Sequence, residues 1–172
     1  MKKNILGIIC TILVIAFSSS CINANAANTN VNAKNSWNYE IDYSGRIRAY
    51  VDSYNAVDFD PPSDYDGASE LVIMVSNSKN YGYDVIIGDY YWHFFYDKLN
   101  KTNYVRVSFD NGTPIKFLIN LAGDSSEKSL YLKNPKKFVE LAKKAKTIKV
   151  EAYFFDKSWR AFMFNTEKPL EL

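Results

Sequence analysis

His93 is the only histidine in the 172-residue chain. Acid–base catalysis of the Ser-His-Asp kind, or a histidine-built metal centre, is therefore confined to arrangements that use this one imidazole. It lies in the run Tyr90-Tyr91-Trp92-His93-Phe94-Phe95-Tyr96. If this run is a strand, alternation puts His93 on one face with Tyr91 and Phe95, opposite Tyr90, Trp92, Phe94 and Tyr96. One of those faces must be core, and the sequence leaves open which. The first reading is a large aromatic core carrying a hydrogen-bonded strand histidine. The second is a set of exposed flat rings that stack on the apolar faces of sugars or anchor a protein partner. On the second reading Tyr91, Trp92 and His93 are the candidate binding residues.

Asp58, Asp60, Asp64 and Asp66 crowd a loop that ends at Gly67. Carboxylates in such numbers suit calcium, but the order Asp-x-Asp-Pro-Pro-Ser-Asp-x-Asp-Gly lacks the ligand spacing and terminal Glu of an EF-hand. A solvated turn is the expectation. A hydrolase working with two carboxylates needs no histidine, yet no pair stands out by spacing. With no Gly-rich phosphate loop, CxxC pair or HExxH present, no catalytic residue, metal or cofactor is expected.

The chain opens Met1-Lys2-Lys3-Asn4, continues with an apolar stretch over residues 5–17 and reaches Ala24-Asn25-Ala26-Ala27. This is the three-part pattern of a secretory signal peptide, with cleavage expected after Ala26. The apolar stretch is about 13 residues, short of the roughly 20 that span a bilayer as a helix. Cys21, after Ser18-Ser19-Ser20, offers a second outcome: lipidation, which would anchor the protein to the envelope. Because Ser18 occupies the usual aliphatic position of the lipobox, release into the periplasm or medium is the first expectation.

Cleavage after Ala26 removes both cysteines, so neither a disulfide nor a thiolate is available to the mature chain. It also removes Lys2 and Lys3, which takes the 21 basic residues to 19, level with the 19 acidic ones. A neutral domain does not suit nucleic acid, whose affinity comes from clustered Lys and Arg.

Residues 27–36 read as a flexible Asn- and Ala-rich leader, and residues 37–172 as one domain. Aromatic residues make up 16% of the chain, against only 7 Gly, a bias that favours strands. Residues 37–43 and 46–54 flank Ser44-Gly45 as a hairpin, with Ile47, Ala49 and Val51 facing inward. Residues 71–75 are almost continuously apolar and predict a central strand buried on both faces. Residues 83–87 predict another strand, and Gly88-Asp89 a turn into the aromatic run.

Val105, Val107 and Phe109 alternate with Arg106, Ser108 and Asp110 up to Asn111-Gly112, a type I′ turn signal, and Ile115, Phe117 and Ile119 return. Residues 129–132 predict a short strand. Asn134-Pro135 then caps and starts a helix whose apolar stripe is Phe138, Leu141, Ala142 and Ala145. Lys136, Lys137, Glu140, Lys143 and Lys144 fall largely off that stripe, as a solvated face. Ile148, Val150, Ala152 and Phe154 form the next strand, and after a loop at residues 156–158, Phe162 and Phe164 the last. Together these predict a mostly β fold: an antiparallel β-sandwich, or open barrel, with one short helix near the C-terminus.

The arrangement of residues 105–112, 129–132, 138–146 and 148–155 resembles a recurring bacterial domain. It is similar to the family of small exported proteins and lipoproteins of unknown function that also resembles invasion-associated locus B proteins and a type VI secretion accessory protein. Trp37-Asn38-Tyr39 and Gly82-Tyr83-Asp84-Val85 fit the same pattern. The resemblance implies a β-sandwich in the cell envelope and brings no catalytic residues. The expected function is a non-enzymatic envelope protein that binds a protein partner, as an accessory to secretion or host interaction. The alternative is a carbohydrate- or peptidoglycan-binding module, including an inhibitor of a wall-degrading enzyme. A membrane is a partner only through lipidated Cys21.

Overall fold

The computed structural model describes residues 36–43, 45–59, 68–90, 93–97, 103–121 and 127–172, all within one compact unit. The signal-peptide and leader residues 1–35, with Cys21, lie outside the described residues, as do Tyr91, Trp92, Asp60, Asp64 and Asp66. Among the described residues, nine strands and one helix follow in chain order: β1 Asn38–Ile41, β2 Ile47–Asp52, β3 Leu71–Ser78, β4 Gly82–Asp89, β5 Tyr104–Phe109, β6 Ile115–Leu121, β7 Ser129–Leu132, α1 Pro135–Ala142, β8 Thr147–Tyr153 and β9 Trp159–Asn165. Every strand pairing is antiparallel, in the single order β1-β2-β3-β4-β7-β6-β5-β8-β9. The expected mostly antiparallel β fold with one late helix is the one observed.

The sheet does not close, but it turns back on itself. Just after β2, Tyr54 N–H donates to the Met163 carbonyl of β9 at 2.9 Å, so the first strands meet the last across one core. That core takes alternate residues of each strand: Ala49 and Val51, Leu71, Ile73 and Val75, Val105 and Val107, Ile148, Val150 and Ala152, and Phe162 and Phe164. Period-two alternation, evident in the sequence, thus sets the inner face. Ile47, expected on that face, is exposed near the sheet edge. β3 is central in the pairing order but not buried on both faces as its unbroken apolar run suggests. Val72 and Met74 on its other face are only half-buried.

The helix begins as its sequence predicts. Asn134 Oδ1 accepts from Lys137 N–H at 3.4 Å, and Pro135 occupies the first turn. Its buried side chains are Phe138, Val139 and Ala142, with Leu141 half-buried. The Phe138 ring meets Phe109 at 5.4 Å and Phe117 at 5.9 Å between centroids, so this ring packs on the β5–β6 hairpin, while the helix backbone lies closest to β4.

That hairpin turns one residue earlier than Asn111-Gly112 implies. The positive φ angles fall on Asp110 (47°) and Asn111 (60°), and Gly112 N–H donates back to the Phe109 carbonyl at 2.8 Å. Asp110 is thereby free to reach β8, where its Oδ1 accepts from Lys146 N–H and Thr147 N–H, both at 2.9 Å. These two backbone donors hold its carboxyl below the usual carboxylate range.

The described residues of the aromatic run do not form the strand its alternation predicts, and Gly88 and Asp89 end β4 rather than form a turn. Residues 93–95 instead make a short contact with the chain just past β8. Phe95 N–H donates to the Tyr153 carbonyl at 2.9 Å, and Phe155 N–H to the His93 carbonyl at 3.3 Å. Phe94 points inward and is buried against Phe154, at 5.0 Å between ring centroids. His93 and Phe95 face outward.

Candidate binding site on the outer face of the sheet

If even-numbered residues of β6 face out, so must the residues opposite them on β5. Leu118 stands across from Tyr104, and Lys116 across from Arg106. On the other side of β5, Arg106 is paired with Glu151 of β8, and Glu151 with Ala161 of β9; Tyr153 is paired with Trp159. Two rows therefore cross four strands on the outer face. One is Leu118, Tyr104, Tyr153 and Trp159; the other is Lys116, Arg106, Glu151 and Ala161. Neighbouring rows are separated by two residues along a strand, roughly 6.6 Å.

The aromatic row is packed ring to ring. Trp159 lies 5.4 Å from Tyr153 and 5.4 Å from Tyr104, although β8 separates the Trp159 and Tyr104 strands. Phe95 extends the row, meeting Tyr153 edge-on at 5.5 Å. Such contacts hold large rings in fixed orientations while leaving surface free: Trp159 is 36% exposed, Phe95 37% and Leu118 45%.

At the end of this row opens a cavity of about 170 Å³, walled by Phe95, Tyr104, Tyr153 and Trp159 over a floor of Val105, Ile119 and Leu130. Small-molecule sites run to roughly 300–1,000 Å³. A cavity of this size admits one ring or one branched side chain, not a whole enclosed ligand. Asp97 and Asn103 at its rim fix each other: Asp97 N–H donates to Asn103 Oδ1 at 3.1 Å, and Asn103 Nδ2 donates to the Asp97 carbonyl at 2.8 Å. These two bonds brace the cavity rim.

Charge lies beside the rings. The Arg106 guanidinium is 4.3 Å from the centre of the Trp159 ring, and Lys116 Nζ is 4.6 Å from that of Tyr104. Both are cation–π distances. Glu151 Oε1, the carboxylate of that row, lies 3.3 Å from Lys149 Nζ. The turn before Trp159 is fixed by Asp156, which accepts from Ser158 N–H and Oγ and from Arg160 Nη2. Partial burial of Asp156 raises its carboxyl pKa, but the Ser158 and Arg160 hydrogen bonds outweigh that and leave it lowered.

Of the candidates read from the sequence, Tyr91 and Trp92 lie outside the described residues. His93 is exposed and does not line the cavity. Phe95, from the same run, does. Asp58 is exposed, and among the described residues no group of His, Cys, Asp and Glu is placed to hold a metal. Tyr104, Arg106, Lys116, Tyr153 and Trp159 were not singled out by sequence reasoning. The available signal was an aromatic residue at an outward position of an alternating strand, where solvent exposure ordinarily selects small or charged side chains.

A wider depression of about 380 Å³ lies at the β1 edge, lined by Tyr39, Glu40, Ile41, Ile47 and Glu171. It holds a single ring, and the hydroxyl of that ring already accepts from Glu171 N–H at 3.0 Å. The outer-face row is the better-built site.

No family model matches the chain, nor does any curated protein or solved structure.

Proposed function

We propose that the chain is an exported protein of the bacterial envelope that acts by binding a protein partner through the row Tyr104, Tyr153, Trp159 and Phe95. The signal-peptide pattern at the start of the sequence supports the envelope location. The observation that carries the binding role is the partly exposed Trp159, held against Tyr104 and Tyr153 with Arg106 at 4.3 Å, at the mouth of a one-residue cavity. Trp, Tyr and Arg around a small desolvated pocket are the residue types that dominate binding energy at protein interfaces. An accessory role in secretion or host interaction follows from the family resemblance and belongs to the same proposal.

Carbohydrate is the second reading, favoured by the flat ring faces. It is the weaker one because the Asn103 carboxamide at the cavity rim is already engaged by the Asp97 backbone. Capture from envelope extracts by the tagged protein, its Trp159→Ala variant and a Lys144→Ala control separates the two. The proposal expects one stable protein partner that is lost with Trp159→Ala and kept with Lys144→Ala. Retention on immobilised wall glycan, lost with Trp159→Ala while no protein is captured, would replace it with the carbohydrate reading.

A further inference from the structure

Arg106 and Lys116 stand directly opposite one another on β5 and β6. Like charges in that position destabilise a sheet. Among the described residues neither cation enters an ion pair; their contacts are the rings of Tyr104 and Trp159. The nearest carboxylate by register, Glu151, is drawn to Lys149. With Lys149 included, this part of the outer face carries three cations against Glu151 and, at the rim of the cavity that takes a single bulky group, Asp97. Ring faces offset part of the repulsion. An arriving carboxylate offsets more, since a guanidinium presents a planar fork matched to its two oxygens.

We infer that the site takes an acidic peptide segment, with a bulky apolar side chain in the cavity beside Trp159 and a neighbouring carboxylate against Arg106 and Lys116. This rests on the protein-binding reading above. The two rows set the spacing: an extended peptide repeats its side-chain direction every second residue, roughly 6.6 Å. The fitting segment therefore has the order apolar, any residue, Asp or Glu, or its reverse. Glu151 sets the limit of the acidic patch it tolerates, because a second partner carboxylate over β8 would meet a like charge.

Panning a random-peptide phage library on the purified protein tests this, with Trp159→Ala, an Arg106→Glu/Lys116→Glu pair and an Arg106→Gln/Lys116→Gln pair as comparators. All variants are first checked for unchanged thermal unfolding; the Gln pair stands in if charge reversal disturbs the sheet. The expected result is selection of peptides with Asp or Glu two places from a bulky apolar residue. These bind at least about tenfold more weakly to the charge variants and weaken as salt is raised. Peptides that need Trp159 but show no acidic bias, and bind the charge variants equally, would overturn the acidic inference and leave the protein-binding reading standing. Recovery of no Trp159-dependent peptide would overturn both.

Discussion

Asn55 holds Met163 as a neighbouring strand would. Its Oδ1 accepts from Met163 N–H at 2.6 Å, while its Nδ2 donates to the Ala161 carbonyl at 3.0 Å. One carboxamide thus satisfies a donor and an acceptor on the free side of β9, the last strand of the sheet. Open edges invite pairing with other chains, and this side chain occupies the one at β9. It also ties the chain just past β2 to the far end of the sheet, at Ala161 and Met163 of the strand that carries Trp159.

Replacing Asn55 with Ala removes both bonds. At roughly 0.5–1.5 kcal/mol net per hydrogen bond, the expected loss is about 1–3 kcal/mol. It reads as a lower urea midpoint at unchanged slope. Asn55→Asp keeps the acceptor but sets a carboxylate oxygen against the Ala161 carbonyl, and is expected to be no more stable than Asn55→Ala. An Asn55→Ala midpoint equal to that of the wild type would mean the edge is held by Tyr54 alone.

Asp110 makes stability depend on acid. Its carboxyl is lowered in the fold by the Lys146 and Thr147 amides, so it contributes stability that is present above its unfolded value of 3.8 and is lost as pH falls through the lower folded value. Asn tolerates the same positive φ, and its one amide oxygen can take the place of the Oδ1 that accepts both bonds, but it does not titrate. Asp110→Asn should therefore show a shallower fall in melting temperature below about pH 4 than the wild type, with a small loss at neutral pH. Parallel curves for the two proteins would remove Asp110 as a source of the acid dependence.

Gly112 is required by space. A Cβ there would come within 2.9 Å of the Phe109 carbonyl, the same oxygen that closes the turn. Gly112→Ala should force the turn to shift and cost more than about 1 kcal/mol, beyond the gain from a stiffer unfolded chain. Equilibrium unfolding of Gly112→Ala beside Asn111→Gly checks this. Relief of positive φ at residue 111 should leave the latter much closer to the wild type.

Phe138 anchors α1. It is fully buried between Phe109 and Phe117, and truncation to Ala leaves a cavity costing about 3–5 kcal/mol. Leu141, half-buried on the same helix, should cost distinctly less when truncated. Thermal denaturation of the two variants should rank them in that order.

Much of the fold was legible because local chemistry and tertiary structure agree. Ser129–Leu132 is a strand with the bounds its sequence suggests, and Asn134-Pro135 starts the helix in the expected way. Val105 and Val107 alternate with Arg106 because one face is core. Residues 90–96 mislead for a physical reason: several aromatics in succession satisfy strand alternation whether or not a neighbour pairs with them. Here, among the described residues of the run, only Phe94 forms an isolated bridge, with Phe154. The two outer rows were not legible at all. They depend on register among β5, β6, β8 and β9, and Tyr104 lies 55 positions before Trp159 in the chain. Spacing along the sequence carries no trace of that meeting.

The central claim is that the partner sits on the outer face beside Trp159. A photo-cross-linking amino acid in place of Leu118, exposed at the end of the aromatic row, tests it in envelope extracts, with the same group at Lys144 in the exposed turn after α1 as comparator. The account predicts a discrete protein adduct from position 118 that disappears when Trp159→Ala is added, and none from position 144. An adduct from position 144, with none from 118, would contradict it.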